Sequence, residues 1–148
     1  MSDTPDPTAP DPARPTPAAT PFLTFQPSKG QSAREAMELY AGLFDGEVVS
    51  VQEYPEGTPG AGTVMVGELR IAGLTVRCSD TFIDHAWDMT PALSIWVECT
   101  SDAEQDRLFT GLGEGGRVFM PIDDYGFGRF GWVGDRFGVT WQLARSGA

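Results

Sequence analysis

The sequence is short of positive charge, of cysteine and of histidine, and it has no long apolar run. Ten Lys and Arg stand against 21 Asp and Glu, a formal net charge of −11. Phosphate backbones are held by Lys/Arg clusters, and none occurs here, which argues against nucleic acid and against an anionic membrane surface as partners. No stretch approaches the roughly 20 apolar residues that span a bilayer, so no membrane partner is expected. A basic start followed by an apolar segment is also missing from the N-terminus, and the expected location is cytoplasmic. Cys78 and Cys99 are the only cysteines. Two distant thiols make no zinc framework and read as buried strand residues, with a disulfide or a reactive thiol as the alternative. Gly-x-Ser-x-Gly, Walker and Cys/His nucleophile patterns are absent.

What is present is enough apolar material for one packed domain: 148 residues, 41% hydrophobic, with nine Phe and four Trp. Residues 1–20 stand apart as a tail. Pro5, Pro7, Pro10, Pro12, Pro15 and Pro17 alternate there with Asp, Thr and Ala. Proline removes backbone donors and small side chains cannot offset the ordering entropy, so the tail is expected to be disordered or extended.

From Pro21 onward the chain reads strand, helix and three strands, twice. Phe22–Phe25 is a strand, and Ser32-Ala33-Arg34-Glu35 is a capping box opening a helix with an apolar stripe of Ala36, Met37, Tyr40, Leu43 and Phe44. Gly46 is expected to be its left-handed cap. Strands follow near 47–54, 63–70 and 74–78. The pattern restarts with a strand at 93–99, a capping box Ser101-Asp102-Ala103-Glu104, a helix with Leu108, Phe109 and Leu112, and strands near 117–120, 130–133 and 139–144. Asp123-Asp124 reads as a solvated turn. Module one therefore spans about 21–80, a linker about 81–89, and module two about 90–145.

Internal likeness supports a duplication. Thr20-Pro21-Phe22-Leu23-Thr24-Phe25 matches Thr90-Pro91-Ala92-Leu93-Ser94-Ile95, 70 positions on, and Gly73-Leu74-Thr75-Val76-Arg77 echoes Gly138-Val139-Thr140-Trp141-Gln142. Strand parity then sends Leu23/Phe25, Leu74/Val76, Leu93/Ile95/Val97 and Val139/Trp141/Leu143 toward the helices. The other face carries Phe22, Thr24, Gln26, Thr75, Arg77, Ser94, Trp96, Glu98, Thr140 and Gln142. A face mixing aromatics with polar groups suits either a ligand cavity or plain solvent exposure.

Three runs carry a resemblance to a known family: Ala36-Met37-Glu38-Leu39-Tyr40-Ala41-Gly42-Leu43-Phe44, His85-Ala86-Trp87-Asp88-Met89-Thr90-Pro91, and Tyr125-Gly126-Phe127-Gly128-Arg129-Phe130-Gly131-Trp132-Val133 continuing to Leu143. With them the chain resembles the PhnB-like branch of the vicinal-oxygen-chelate (glyoxalase/bleomycin-resistance/dihydroxybiphenyl dioxygenase) superfamily. The resemblance implies an α+β fold, two βαβββ modules forming a cupped mixed sheet, a homodimer, and a small-molecule ligand in the concave face. Metal-dependent relatives use the first and last strand of each module, which maps here to Thr20, Arg77, Thr90 and Gln142. A permanent cation and two threonine hydroxyls are a poor donor set, so neither metal nor other cofactor is expected. A site shifted to His85, Glu98 or Asp80 is the alternative, with lyase, isomerase or dioxygenase chemistry.

The branch also carries a label resembling 3-demethylubiquinone 3-methyltransferase. Methyl donors and dinucleotides usually sit on a Gly-rich strand-to-helix turn. Neither junction here, Gln26–Ser32 or Cys99–Ser101, has one.

The single histidine, His85, is the candidate general base, or else a residue bonded within its loop. Arg77 is placed to hold an anionic group, or to pair with Glu98 on the same face. Tyr125, Phe127, Phe130 and Trp132 are placed either to close over a flat ligand or to pack in a dimer interface. Phe22, Trp96, Glu98 and Gln142 complete the ligand-binding candidates.

Overall fold

The computed structural model describes residues 7–8 and 15–146. Most of the expected tail thus lies outside the described residues, and 15–20 are exposed without helix or strand. The elements run β1 (Phe22–Phe25), a 3-10 turn (Pro27–Lys29), α1 (Ala33–Phe44), β2 (Glu47–Glu53), β3 (Val64–Ile71), β4 (Leu74–Asp80), β5 (Ser94–Glu98), α2 (Asp102–Gly113), β6 (Arg117–Asp124), β7 (Arg129–Gly134) and β8 (Thr140–Arg145). They form two four-stranded mixed sheets, ordered β1-β4-β3-β2 and β5-β8-β7-β6. In each, the first strand runs parallel to the last and the others are antiparallel. This is the βαβββ unit twice. Among the described residues no helix is long and apolar enough to cross a membrane.

Each helix starts as its serine predicts. Ser32 Oγ accepts from Glu35 N at 3.2 Å, and Ser101 Oγ from Glu104 N at 3.1 Å. The reciprocal halves of the two boxes differ from expectation. Glu35 reaches Arg136 instead, and Glu104 accepts from Thr100 N. Buried Asp80 takes up the helix-start duty in module one, accepting from Ala33 N and Val64 N, each at 2.9 Å.

The left-handed cap of α1 is Asp45, with φ of 50°, and not Gly46. Gly46 is small for another reason: a Cβ there would stand 2.4 Å from the Arg70 carbonyl oxygen. Gly116 repeats the device, with 2.0 Å to the Gly134 carbonyl. Arg70 and Gly134 hold equivalent register positions, opposite Glu47 and Arg117. Helix and sheet meet at the same close approach in both modules.

The sheet register also corrects the repeat. Phe22 pairs with Arg77, and Trp96 pairs with Gln142, so the equivalent of Phe22 is Trp96 rather than Ala92. The first module is longer between β1 and α1, where the 3-10 turn is inserted, so the 70-residue spacing does not hold for the first strands. Consequently Leu93 lies outside β5 and is 74% exposed instead of core. Gln26 likewise leaves the sheet face, because β1 has ended. It is buried, donates Nε2 to the Trp87 carbonyl and accepts from His85 N, pinning the inter-module linker.

One core serves both modules. Phe44 stacks on Trp141 at 5.4 Å, Tyr40 meets Trp141 edge-on at 4.9 Å, and Phe25 meets Phe137 at 6.0 Å. Gly111 of α2 gives Leu43 of α1 its space. α1 packs on β2, β3 and β4, and α2 on β7 and β8. Among the described residues the reverse face of each sheet carries no helix, and the strand candidates Phe22, Arg77, Trp96, Glu98 and Gln142 lie there.

Candidate functional site

Cross-strand register lays out the helix-free face of module two as rows. One row runs Trp96, Gln142, Trp132, Met120 across β5, β8, β7 and β6. The next runs Glu98, Ala144, Phe130, Asp123. In module one the row equivalent to the first is Phe22, Arg77, Glu68. Four of the sequence candidates thus form the same pair twice, aromatic beside polar: Phe22 with Arg77, and Trp96 with Gln142. Phe22 is 53% exposed and Trp96 51%.

The two faces differ in chemistry. On module one, Arg77 pairs with Glu68 at 3.9 Å, a cross-strand neighbour, rather than with Glu98. On module two the aromatics cluster. Phe130 is buried beneath Trp96 (5.8 Å), Phe127 (5.3 Å) and Tyr125 (6.0 Å), while Phe127 stays 58% exposed. The Tyr125 hydroxyl donates to the Pro121 carbonyl at 2.6 Å, fixing the loop that follows β6. Asp123 and Asp124, expected in a turn, instead end β6 opposite Phe130 and Arg129.

Glu98 is held in place. Trp96 Nε1 donates to it at 2.9 Å, and Ser146 Oγ approaches both its oxygens at 2.7 and 2.8 Å. The Ser146 bond, then the Trp96 bond, keeps its carboxyl below the usual range. Trp132 Nε1 is buried with no hydrogen-bond partner among the described residues. This orphan donor stands in the Trp96–Gln142 row. Sequence patterning gave no sign of it, since strand parity places a side chain on a face but does not assign its partners.

His85 lies in the linker, half-buried, with Nε2 3.3 Å from Thr81 Oγ1 and its ring stacked on Trp87 at 4.3 Å. Its partners belong to its own loop, which Lys29 and Gln31 tie further through the Trp87 carbonyl and Asp88. Of the shifted-site residues, Asp80 spends both oxygens on backbone N–H groups and Glu98 is bonded to Trp96 and Ser146. Among the described residues no three His, Cys, Asp or Glu side chains gather as a metal would need. The family's metal positions fit no better. Arg77 is a cation, and register moves the equivalent of Thr20 from Thr90 to Ser94, whose hydroxyl is 2.7 Å from Thr140 Oγ1.

The residue that the sequence reading passed over is Asp135. Buried in the turn between β7 and β8, it accepts from Tyr40 Oη, Trp141 Nε1, Phe137 N and Val139 N. Burial nevertheless raises its pKa, outweighing those donors. The signal was available: an acidic residue set within an apolar motif asks for donors.

A family model described as 3-demethylubiquinone-9 3-methyltransferase matches residues 17–144. Among solved structures, a Bacillus cereus protein described as a putative 3-demethylubiquinone-9 3-methyltransferase, PhnB protein, is 38% identical, covering 86% of this chain and 98% of that one, with a TM-score of 0.80. Protein PA1353 of Pseudomonas aeruginosa is 27% identical over 88% and 98% of the two chains, with a TM-score of 0.76. The fosfomycin resistance protein FosX of Listeria monocytogenes, solved with Mn(II) and sulfate, is 14% identical over 90% and 92%, with a TM-score of 0.58, a likeness of fold alone. None of the curated proteins matches the chain.

Proposed function

The chain belongs to the family described as 3-demethylubiquinone-9 3-methyltransferase, the PhnB-like branch of the vicinal-oxygen-chelate fold, and we propose that it binds a small molecule on its helix-free sheet faces without a metal. The observation that carries this is the Trp96–Gln142 pair. A half-exposed indole is locked by Glu98 beside a half-buried amide that has no hydrogen-bond partner among the described residues. Binding sites combine such apolar area with a few fixed polar groups. Arg77 at the equivalent position of module one argues against a metal, because a cation would be repelled where an acidic ligand is wanted.

Exposed Phe22 on the face of module one supports a homodimer in which a second copy covers it. A cytoplasmic setting accords with two free thiols. Methyl transfer has less support. The strand-to-helix junctions are a 3-10 turn and a direct step from Cys99 to Ser101, neither of them a glycine-rich turn. An enzyme using His85 as base finds that ring engaged by Thr81 and Trp87.

The test is a calorimetric screen of small aromatic fragments against chelator-treated protein, repeated with Trp96→Ala. Saturable binding that survives chelation and is lost in the variant supports the reading. Binding that needs added metal overturns it.

A further inference from the structure

On the basis of the proposed ligand site, we propose that the ligand is an organic cation with a flat, aromatic or otherwise planar body, received by Trp96 and Phe127 over buried Phe130 and faced by the carboxylates of Glu98 and Asp123. The row Glu98, Ala144, Phe130, Asp123 puts an acid at each end, a ring inside, and the smallest side chain of the row at Ala144. Trp96 and Phe127 touch Phe130 at 5.8 and 5.3 Å and leave more than half of their own surfaces open. Ring faces attract cations through their quadrupole, and a carboxylate beside them adds a Coulomb term.

Charge complementarity singles out a cation. Arg129 and Arg145, the basic side chains nearest in sequence, are drawn away to α2, bonding Asp106 and Asp102 at 2.8 and 2.9 Å. Arg117 belongs to the far row, opposite Gly134, and lies over Phe119 at 4.8 Å. Across the fold, Arg77 is matched by Glu68. Among the described residues Glu98 is therefore answered only by neutral donors, Trp96 Nε1 and Ser146 Oγ, which orient its carboxylate without cancelling the charge. Among the described residues Asp123 accepts only from the Asp124 backbone N–H.

The experiment compares three probes of one shape by calorimetry on the full chain in mildly alkaline buffer: N-methylquinolinium, uncharged quinaldine, and naphthoate. The cation should bind about tenfold more tightly than quinaldine, and naphthoate more weakly still, with the preference falling as salt is added. Glu98→Gln with Asp123→Asn, both surface changes checked by thermal melting, should reduce N-methylquinolinium to the affinity of quinaldine. Equal binding of all three probes, lost in Trp96→Ala, overturns the cation while leaving the ligand site standing. No saturable binding of any probe overturns both.

Discussion

The Tyr40 hydroxyl of α1 donates a hydrogen bond to Asp135 in the turn between β7 and β8, 95 residues away, and ties the helix of one module to the sheet of the other. Trp141 Nε1 reaches the same carboxylate oxygen at 3.0 Å, so the two modules share one buried acceptor. Replacing Asp135 with Ala leaves two side-chain and two backbone donors buried and unpaired. The expected loss is about 3–5 kcal/mol in urea denaturation, against about 1–2 for Tyr40→Phe. A cost below about 1 kcal/mol for Asp135→Ala would mean that the modules do not depend on this joint.

Asp135 also sets a pH dependence. Its native carboxyl titrates above the ordinary aspartate range because burial disfavours the charge. The native state then holds this proton more tightly than the unfolded chain. Its contribution to stability is greatest below the ordinary aspartate value and declines as pH rises through the raised native value. Denaturation curves across that window should show this decline in the wild type and lack it in Asp135→Asn.

Both thiols should be inert in the folded protein. Burial pushes Cys78 up to about 12 and Cys99 up to about 11, so neither supplies thiolate near neutrality. A colorimetric disulfide reagent should label two thiols per chain only after unfolding. Rapid labelling of Cys99 in native protein would contradict its burial.

His85→Ala should change the affinity of any ligand less than about twofold and stability by about 1 kcal/mol or less, since the ring is held within its own loop. Trp96→Ala should do the reverse, lowering affinity on the order of tenfold with little effect on melting, because the side chain is half-exposed. The contrast between the two variants separates a linker residue from a ligand contact.

The fold was legible because its local signals agree. Ser32 and Ser101 cap the helices, alternation marks β4 and β8, and Gly46 and Gly116 punctuate the helix-to-strand passages. In the first strands the repeat register departs from the sequence likeness by four residues. Thr90-Pro91 imitates Thr20-Pro21 in sequence, whereas hydrogen bonding to Arg77 and Gln142 decides the pairing. Of the candidate residues, sequence parity brought out Phe22, Arg77, Trp96, Glu98 and Gln142 as one face. It could not show that Arg77 meets Glu68 across strands, that Glu98 clamps Trp96 two residues along β5, or that Trp132 Nε1 has no partner among the described residues, since parity assigns a face and not a partner. Gln26 and Leu93 failed parity for a simpler reason: each lies one residue outside its strand.

The most direct test uses the four tryptophans as reporters. In chelator-treated, isotope-labelled protein titrated with N-methylquinolinium, the indole N–H signals of Trp96 and Trp132 and the side-chain amide of Gln142 should shift together and saturate. Those of Trp87 in the linker and Trp141 in the core should stay in place. Saturating shifts at Trp87 with Trp96 and Trp132 unmoved would contradict the account and place the site at the linker instead.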